Sequence, residues 1–172
     1  MSLGNDTTEF TGLTIDGTEV TATATEINAT ADVSGRLVDI GDANTSLSAS
    51  NSGKPHMIAN VSADRTFTLP DVATGLDFEL IADAVVADGH DWIIDTGADA
   101  NYFTGGVVHL DTDAGAGGDE IVPIQPDGNS NSILQINLPD VATRIRFICD
   151  GTLWNLSGMV VSATAPAFSD QS

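Results

Sequence analysis

One cysteine, one lysine and one tyrosine occur in 172 residues, and five positive side chains stand against twenty-five carboxylates. Each scarcity excludes something. Cys149 has no intrachain disulfide partner, and its place on an alternating apolar segment makes it a buried small hydrophobe rather than a reactive thiol. A formal net charge of −20 repels phosphate backbones, so no nucleic-acid partner is expected. No apolar run approaches the length of a membrane span, so no membrane partner is expected either. The opening Met1-Ser2-Leu3-Gly4-Asn5-Asp6 lacks a basic and then apolar leader, which gives the expectation of a protein made in a cytoplasm and remaining soluble. Strong negative charge suits salt that screens self-repulsion, and a marine source is the corresponding expectation. His56, His90 and His109 are far apart without paired-ligand spacing, so zinc chemistry is not expected.

What is present is a phrase said twice. Leu69-Pro70-Asp71-Val72-Ala73-Thr74 returns letter for letter as Leu138-Pro139-Asp140-Val141-Ala142-Thr143, 69 positions later. Phe67 and Ile136 correspond ahead of it. Behind it, Leu76, Phe78 and Leu80 correspond to Ile145, Phe147 and Cys149, each set alternating with other residues. The unit reads as strand, Pro-Asp corner, strand. Two copies are too few for a solenoid of stacked repeats and fit one all-β domain with a duplicated element. With 41% hydrophobic residues the chain has material for a sizeable core.

The rest of the chain supports that class. Asp16-Gly17 is a turn signal, and Thr23 with Glu26 forms a capping box before a short helix from Ile27 to Val33, ending near Gly35. Leu37-Val38-Asp39-Ile40 opens a strand region. Strands are expected near 45–49, 56–61, 65–69, 76–82, 91–95, 106–110, 120–124, 133–138, 144–149 and 153–161, parted by turn residues. Cys149-Asp150-Gly151-Thr152 reads as a two-residue hairpin turn. The expected fold is all-β, an antiparallel sandwich or barrel-like domain over 36–162. An N-terminal arm with one short helix (1–35) precedes it, and an irregular tail (163–172) follows.

Chemistry is sparse. Trp92-Ile93-Ile94-Asp95-Thr96-Gly97-Ala98 looks like the Asp-Thr-Gly-Ala signature of retropepsin-like aspartic proteases, in which Asp95 would supply half of a carboxylate dyad. The alternative is an apolar strand ending in an Asp-Thr-Gly turn, and the later apolar-apolar-Gly segment such proteases need is not convincingly supplied. Asp111, Asp113, Asp119 and Glu120 offer hard oxygen ligands for calcium, but without EF-hand spacing or a closing helix the better reading is a solvated acidic loop. No nucleophile elbow, phosphate-cradling loop or acid–base pair stands out, so neither an enzyme nor a cofactor is expected. The scarce positive charge is more informative. Arg144 and Arg146 lie on the polar face of the second copy's strand, where the first carries Asp77 and Glu79. On so acidic a chain they mark an ionic contact, within the sheet or with a neighbour, or else two solvated charges.

The segment Val20-Thr21-Ala22-Thr23-Ala24-Thr25-Glu26-Ile27-Asn28, running on to Gly35-Arg36, resembles a phrase that precedes the β domain in tailed-bacteriophage virion surface proteins. Phe67-Thr68-Leu69-Pro70, Phe103-Thr104-Gly105-Gly106-Val107, Trp154-Asn155-Leu156-Ser157-Gly158 and Pro166-Ala167-Phe168-Ser169 are similar to further pieces of that group, with Ala167 interposed in the last. The resemblance implies a head decoration (cement) protein on the outer surface of the virion, made in the host cytoplasm. It would be a homo-oligomer, with a trimer favoured, binding the major capsid protein at capsomer junctions. Glu26, Ile27 and Asn28 of the arm, with Arg36, Asp77, Glu79, Arg144 and Arg146, are then candidate contacts. Trp92, Tyr102, Phe103 and Trp154 are candidate aromatic anchors, with Trp154 reading better as a core residue of the last strand. The alternative is a head-fibre, spike or receptor-binding base protein recognising host glycans.

Overall fold

In the computed structural model, residues 13–31, 33–83, 89–113 and 120–171 are described. The chain divides into two compact units, Met1–Gly35 and Arg36–Ser172. In the first, β1 (Leu13–Ile15) and β2 (Thr18–Val20) form an antiparallel hairpin. Its two-residue turn places Asp16 at φ 49° and Gly17 at φ 80°, the positive pair that a tight hairpin turn requires. Helix α1 (Ala24–Ala31) follows, three residues earlier than the sequence places it, because the capping box itself starts it. The Glu26 amide donates to Thr23 Oγ1 at 3.2 Å, and the Thr23 amide donates to Glu26 Oε2 at 2.7 Å. A 3-10 turn, Val33–Arg36, comes next.

The second unit is all-β. Its strands are β3 (Val38–Ile40), β4 (Thr45–Ser46), β5 (Pro55–Ile58), β6 (Arg65–Thr68), β7 (Asp77–Ala82), β8 (Trp92–Asp95) and β9 (Phe103–Asp111). They continue as β10 (Ile121–Ile124), β11 (Ile133–Ile136), β12 (Arg144–Cys149), β13 (Trp154–Ser162) and β14 (Ala167–Ser169). Two sheets pack together, one ordered β10-β9-β13-β12-β7-β5-β3 and the other β14-β11-β8-β6-β4. From β3 to β8 successive strands alternate between the sheets, and each adds in parallel to the last strand of its own sheet. This stretch winds like a short β-coil. The antiparallel pairing expected from sequence belongs to the later part, where β11 joins β8 and β12 joins β7 and β13.

The duplicated unit explains the join. Phe78 and Phe147 occupy the same position of the two copies, and they are also directly opposite each other in the antiparallel β7–β12 register. In the other sheet, β6 and β11 flank β8 on either side. The copies are therefore related by a local two-fold through that phenylalanine pair. The identical corners nonetheless differ. Leu69 is buried in the first, whereas Pro139 is buried in the second, where Leu138 and Ala142 take φ values of 44° and 73°. Tertiary contacts impose the difference: the Leu138 amide donates to the Asp91 carboxylate at 3.0 Å, and the Asp140 amide to the Val161 carbonyl at 2.8 Å. Left-handed non-glycine backbone costs about 1–2 kcal/mol per residue.

The inner faces make the core. Phe67, Trp92, Ile94, Leu134 and Ile136 come from the smaller sheet, and Phe78, Leu80, Phe103, Phe147, Trp154 and Leu156 from the larger. Each such large side chain contributes about 1.5–3 kcal/mol by burial. Edge-on aromatic contacts join Phe67 to Trp92 and Phe78 to Trp154 at 6.2 and 6.0 Å. Trp92, Phe103 and Trp154 are thus core residues, not surface anchors; the inward phase of β8, β9 and β13 takes them. Cys149 is buried with them.

Three further sequence expectations change. Strand β9 starts at Phe103 rather than 106, because Gly105 and Gly106 allow close approach within the sheet: a Cβ on Gly105 would meet the Leu156 carbonyl oxygen at 2.3 Å. The expected two-residue turn is a four-residue loop, Asp150 to Leu153, closed by the Asp150 carboxylate accepting from the Thr152 and Leu153 amides at 2.8 and 2.9 Å. The tail is not wholly irregular, since β14 pairs with β11 and Phe168 packs on the core.

Candidate functional site

The charged residues singled out in the two repeat copies meet on the outer face of the larger sheet. In the β7–β12 ladder, Arg146 lies opposite Glu79 and Arg144 opposite Ile81. Each guanidinium reaches diagonally, as long side chains on neighbouring strands can. Arg146 grips Asp77 with two bonds, Nε to Oδ1 at 2.8 Å and Nη2 to Oδ2 at 2.5 Å, and Arg144 Nε donates to Glu79 Oε1. The contact is therefore within the sheet. Arg146 holds the Asp77 carboxyl below its ordinary range, and the two arginines are held above theirs by Asp77 and Glu79. The acidic copy is stitched to the basic copy.

A third cation joins them. The Gly53 amide donates to the Asp77 carbonyl at 2.7 Å, and the Asp77 amide donates to Ser52 Oγ at 2.9 Å. This fastens the turn before β5 to the start of β7 and brings Lys54 beside the ion pairs. Lys54 Nζ donates to Asn51 Oδ1 at 3.3 Å. A hollow of about 200 Å³ lies between Lys54, Pro55 and the four paired charges. A second hollow of about 390 Å³ lies between Glu79, Arg144 and Arg146 and residues Ser157, Gly158 and Met159 of β13. Three of the five basic residues of the chain thus share one sheet face.

Around them the outward positions are mixed: Asn155 and Ser157 of β13 are exposed opposite Ile148 and Arg146. Val108 of β9, Ile121 of β10, Ile148 of β12 and Met159 of β13 are exposed apolar side chains on the same face, Ile121 to 73%. Lys54 and these exposed apolar residues escape sequence reasoning, because nothing local announces that β5 pairs in parallel with β7 or β9 with β13.

The other sequence candidates lie elsewhere. Glu26 is occupied by the capping box, and Thr23 holds its carboxyl below its usual range. Ile27 and Asn28 are exposed on α1, and Arg36 is exposed at the end of the 3-10 turn. The Asp95 carboxylate accepts from the Gly97 amide at 2.6 Å and from the Gln171 side-chain amide, the geometry of a strand-ending turn. Among the described residues, no three His, Cys, Asp or Glu side chains are arranged to hold a metal. In the acidic loop, the Asp113 amide donates to Asp111 Oδ1 at 2.8 Å, and Asp119 lies outside the described residues.

No protein-family model, curated protein or solved structure matches the chain. The fold and the site define a two-sheet β protein whose most distinctive surface is an ion-paired sheet face.

Proposed function

We propose that the protein is a structural virion component, a decoration protein that binds the outer surface of a tailed-phage head and reinforces contacts between capsid subunits. The observation that carries this reading is a coincidence of boundaries. The segment resembling phage surface proteins, Val20 to Arg36, runs to the point where the chain divides into a small hairpin-and-helix unit and a β sandwich. An anchoring unit joined to a rigid body is the arrangement a clamp needs. A ligand that binds only the assembled lattice stabilises it by mass action, so decoration would raise the tolerance of heads to heat and internal pressure. The major capsid protein is the proposed partner, with Ile27 and Asn28 on the exposed surface of α1 as candidate contacts. The test is co-sedimentation of the full chain with undecorated heads, read together with the heads' melting temperature. Saturable binding with a raised melting temperature supports the reading; unsaturable or absent binding refutes it.

A further inference from the structure

The outer face of the larger sheet has a charge pattern unlike the remainder of the chain. On β7 and β12 the outward carboxylates Asp77 and Glu79 are matched one for one by Arg144 and Arg146, with Lys54 adjoining. A charge-balanced strip therefore sits on a chain of net charge −20. Two copies approaching by acidic surfaces repel, whereas this strip brings no like-charge excess to the contact. It is also self-complementary. Cations stand in one column on β12 and carboxylates in the next on β7, while the register places Met159, Arg144, Ile81 and Met57 in one row across four strands.

Rotation about a two-fold axis running along the strands between β7 and β12 lays the cation column of one copy over the carboxylate column of the other. The same rotation lays Met159 over Met57. Arg144 and Arg146 keep 61% and 51% of their side-chain surface exposed, so each retains donors for a second carboxylate. About that axis β12 overlaps β7 along six residues, β13 overlaps β5 along four and β9 overlaps β3 along three. At about 4.8 Å between strands that is a footprint of roughly 400 Å² per copy, so a pair buries about 800 Å² in total, the size of a weak contact.

We propose that this face is a docking surface for a second copy of the same chain, joined about that two-fold axis. The proposal does not rest on the decoration reading, and it replaces the trimer implied by the family resemblance with an isologous pair.

Sedimentation equilibrium of the full chain tests it, at roughly 100 µM to reveal a micromolar contact and in about 0.5 M salt to screen the net repulsion. The wild-type chain should have the mass of a dimer, and Met159→Glu, a change at an exposed position, should have that of a monomer. A wild-type monomer, a trimer, or a dimer that Met159→Glu leaves intact overturns the proposal. An independent check is the double variant Met57→Cys with Met159→Cys, treated with a bis-maleimide whose span is about 8 Å: within one chain these positions lie three strand spacings apart, about 14 Å and beyond that span. Sheets docked face to face about 10 Å apart bring the facing thiols within it, so a cross-link between them must join two copies. A cross-linked dimer supports the axis, and its absence in a variant that melts like wild type refutes it.

Discussion

His56 sits on the inner face of β5, fully buried, with its ring 5.5 Å from that of Phe78 and neither ring nitrogen hydrogen-bonded. Burial disfavours the imidazolium and, outweighing the opposing pull of the Lys54 and Glu79 backbone and aided by the Lys54 charge, pushes its pKa below the ordinary 6.5. In the unfolded chain the ring titrates normally. Below pH 6.5 the unfolded state therefore binds more protons than the native state, and stability must fall as pH falls. The contribution is complete above pH 6.5. It is lost at up to about 1.4 kcal/mol per pH unit until the native pKa is reached. Denaturant unfolding at half-unit steps between pH 7.5 and 5 measures the slope. His56→Leu keeps an apolar side chain in place and removes the proton, so the variant should show a flatter pH dependence than wild type over that window. Taking the difference cancels the other histidines and the carboxylates. Equal slopes in the two proteins would refute the reasoning, because they would mean that the buried ring reaches water or a partner before it protonates.

Two further outcomes follow from close geometry. A Cβ on Gly158 would lie 2.2 Å from the Arg144 carbonyl oxygen, so Gly158→Ala should destabilise by about 2–3 kcal/mol. Gly41→Ala, whose Cβ would meet nothing within 4 Å, should stay within about 0.5 kcal/mol, both read by thermal melts. In the ion-paired ladder, Arg146→Glu and Asp77→Arg should each lower the melting temperature, and the double variant should recover most of the loss, less visibly in high salt. Additive losses in the double variant would show that the pair does not act as a unit.

The parts of this architecture that were legible in sequence are those specified locally. Alternation in Leu134-Gln135-Ile136 and Ile145-Arg146-Phe147 gives β11 and β12, and the Thr23–Glu26 pair gives the helix start. The repeat announced that Asp77, Glu79, Arg144 and Arg146 shared a kind of face. It did not announce that the two copies are hydrogen-bonded neighbours, since strand pairing is decided by contacts distant in sequence. The parallel winding from β3 to β8 was hidden for the same reason. Glycine is usually poor in strands, and nothing local shows that Gly105 lets β9 close up on β13 and Gly106 on β10. The corners teach the converse. Ala73 and Ala142 sit in identical hexapeptides, yet only Ala142 takes a positive φ, because the contacts of Asp140 and Leu138 outweigh local preference.

The central claim, that the chain decorates a phage head, is met most directly by cryo-electron microscopy. The purified full chain would be added to undecorated heads of a phage whose genome encodes it. The account requires new density of defined occupancy where capsid subunits meet, saturating as protein is added. Heads that stay bare at every capsomer junction and symmetry axis, with folded protein in excess, would contradict it.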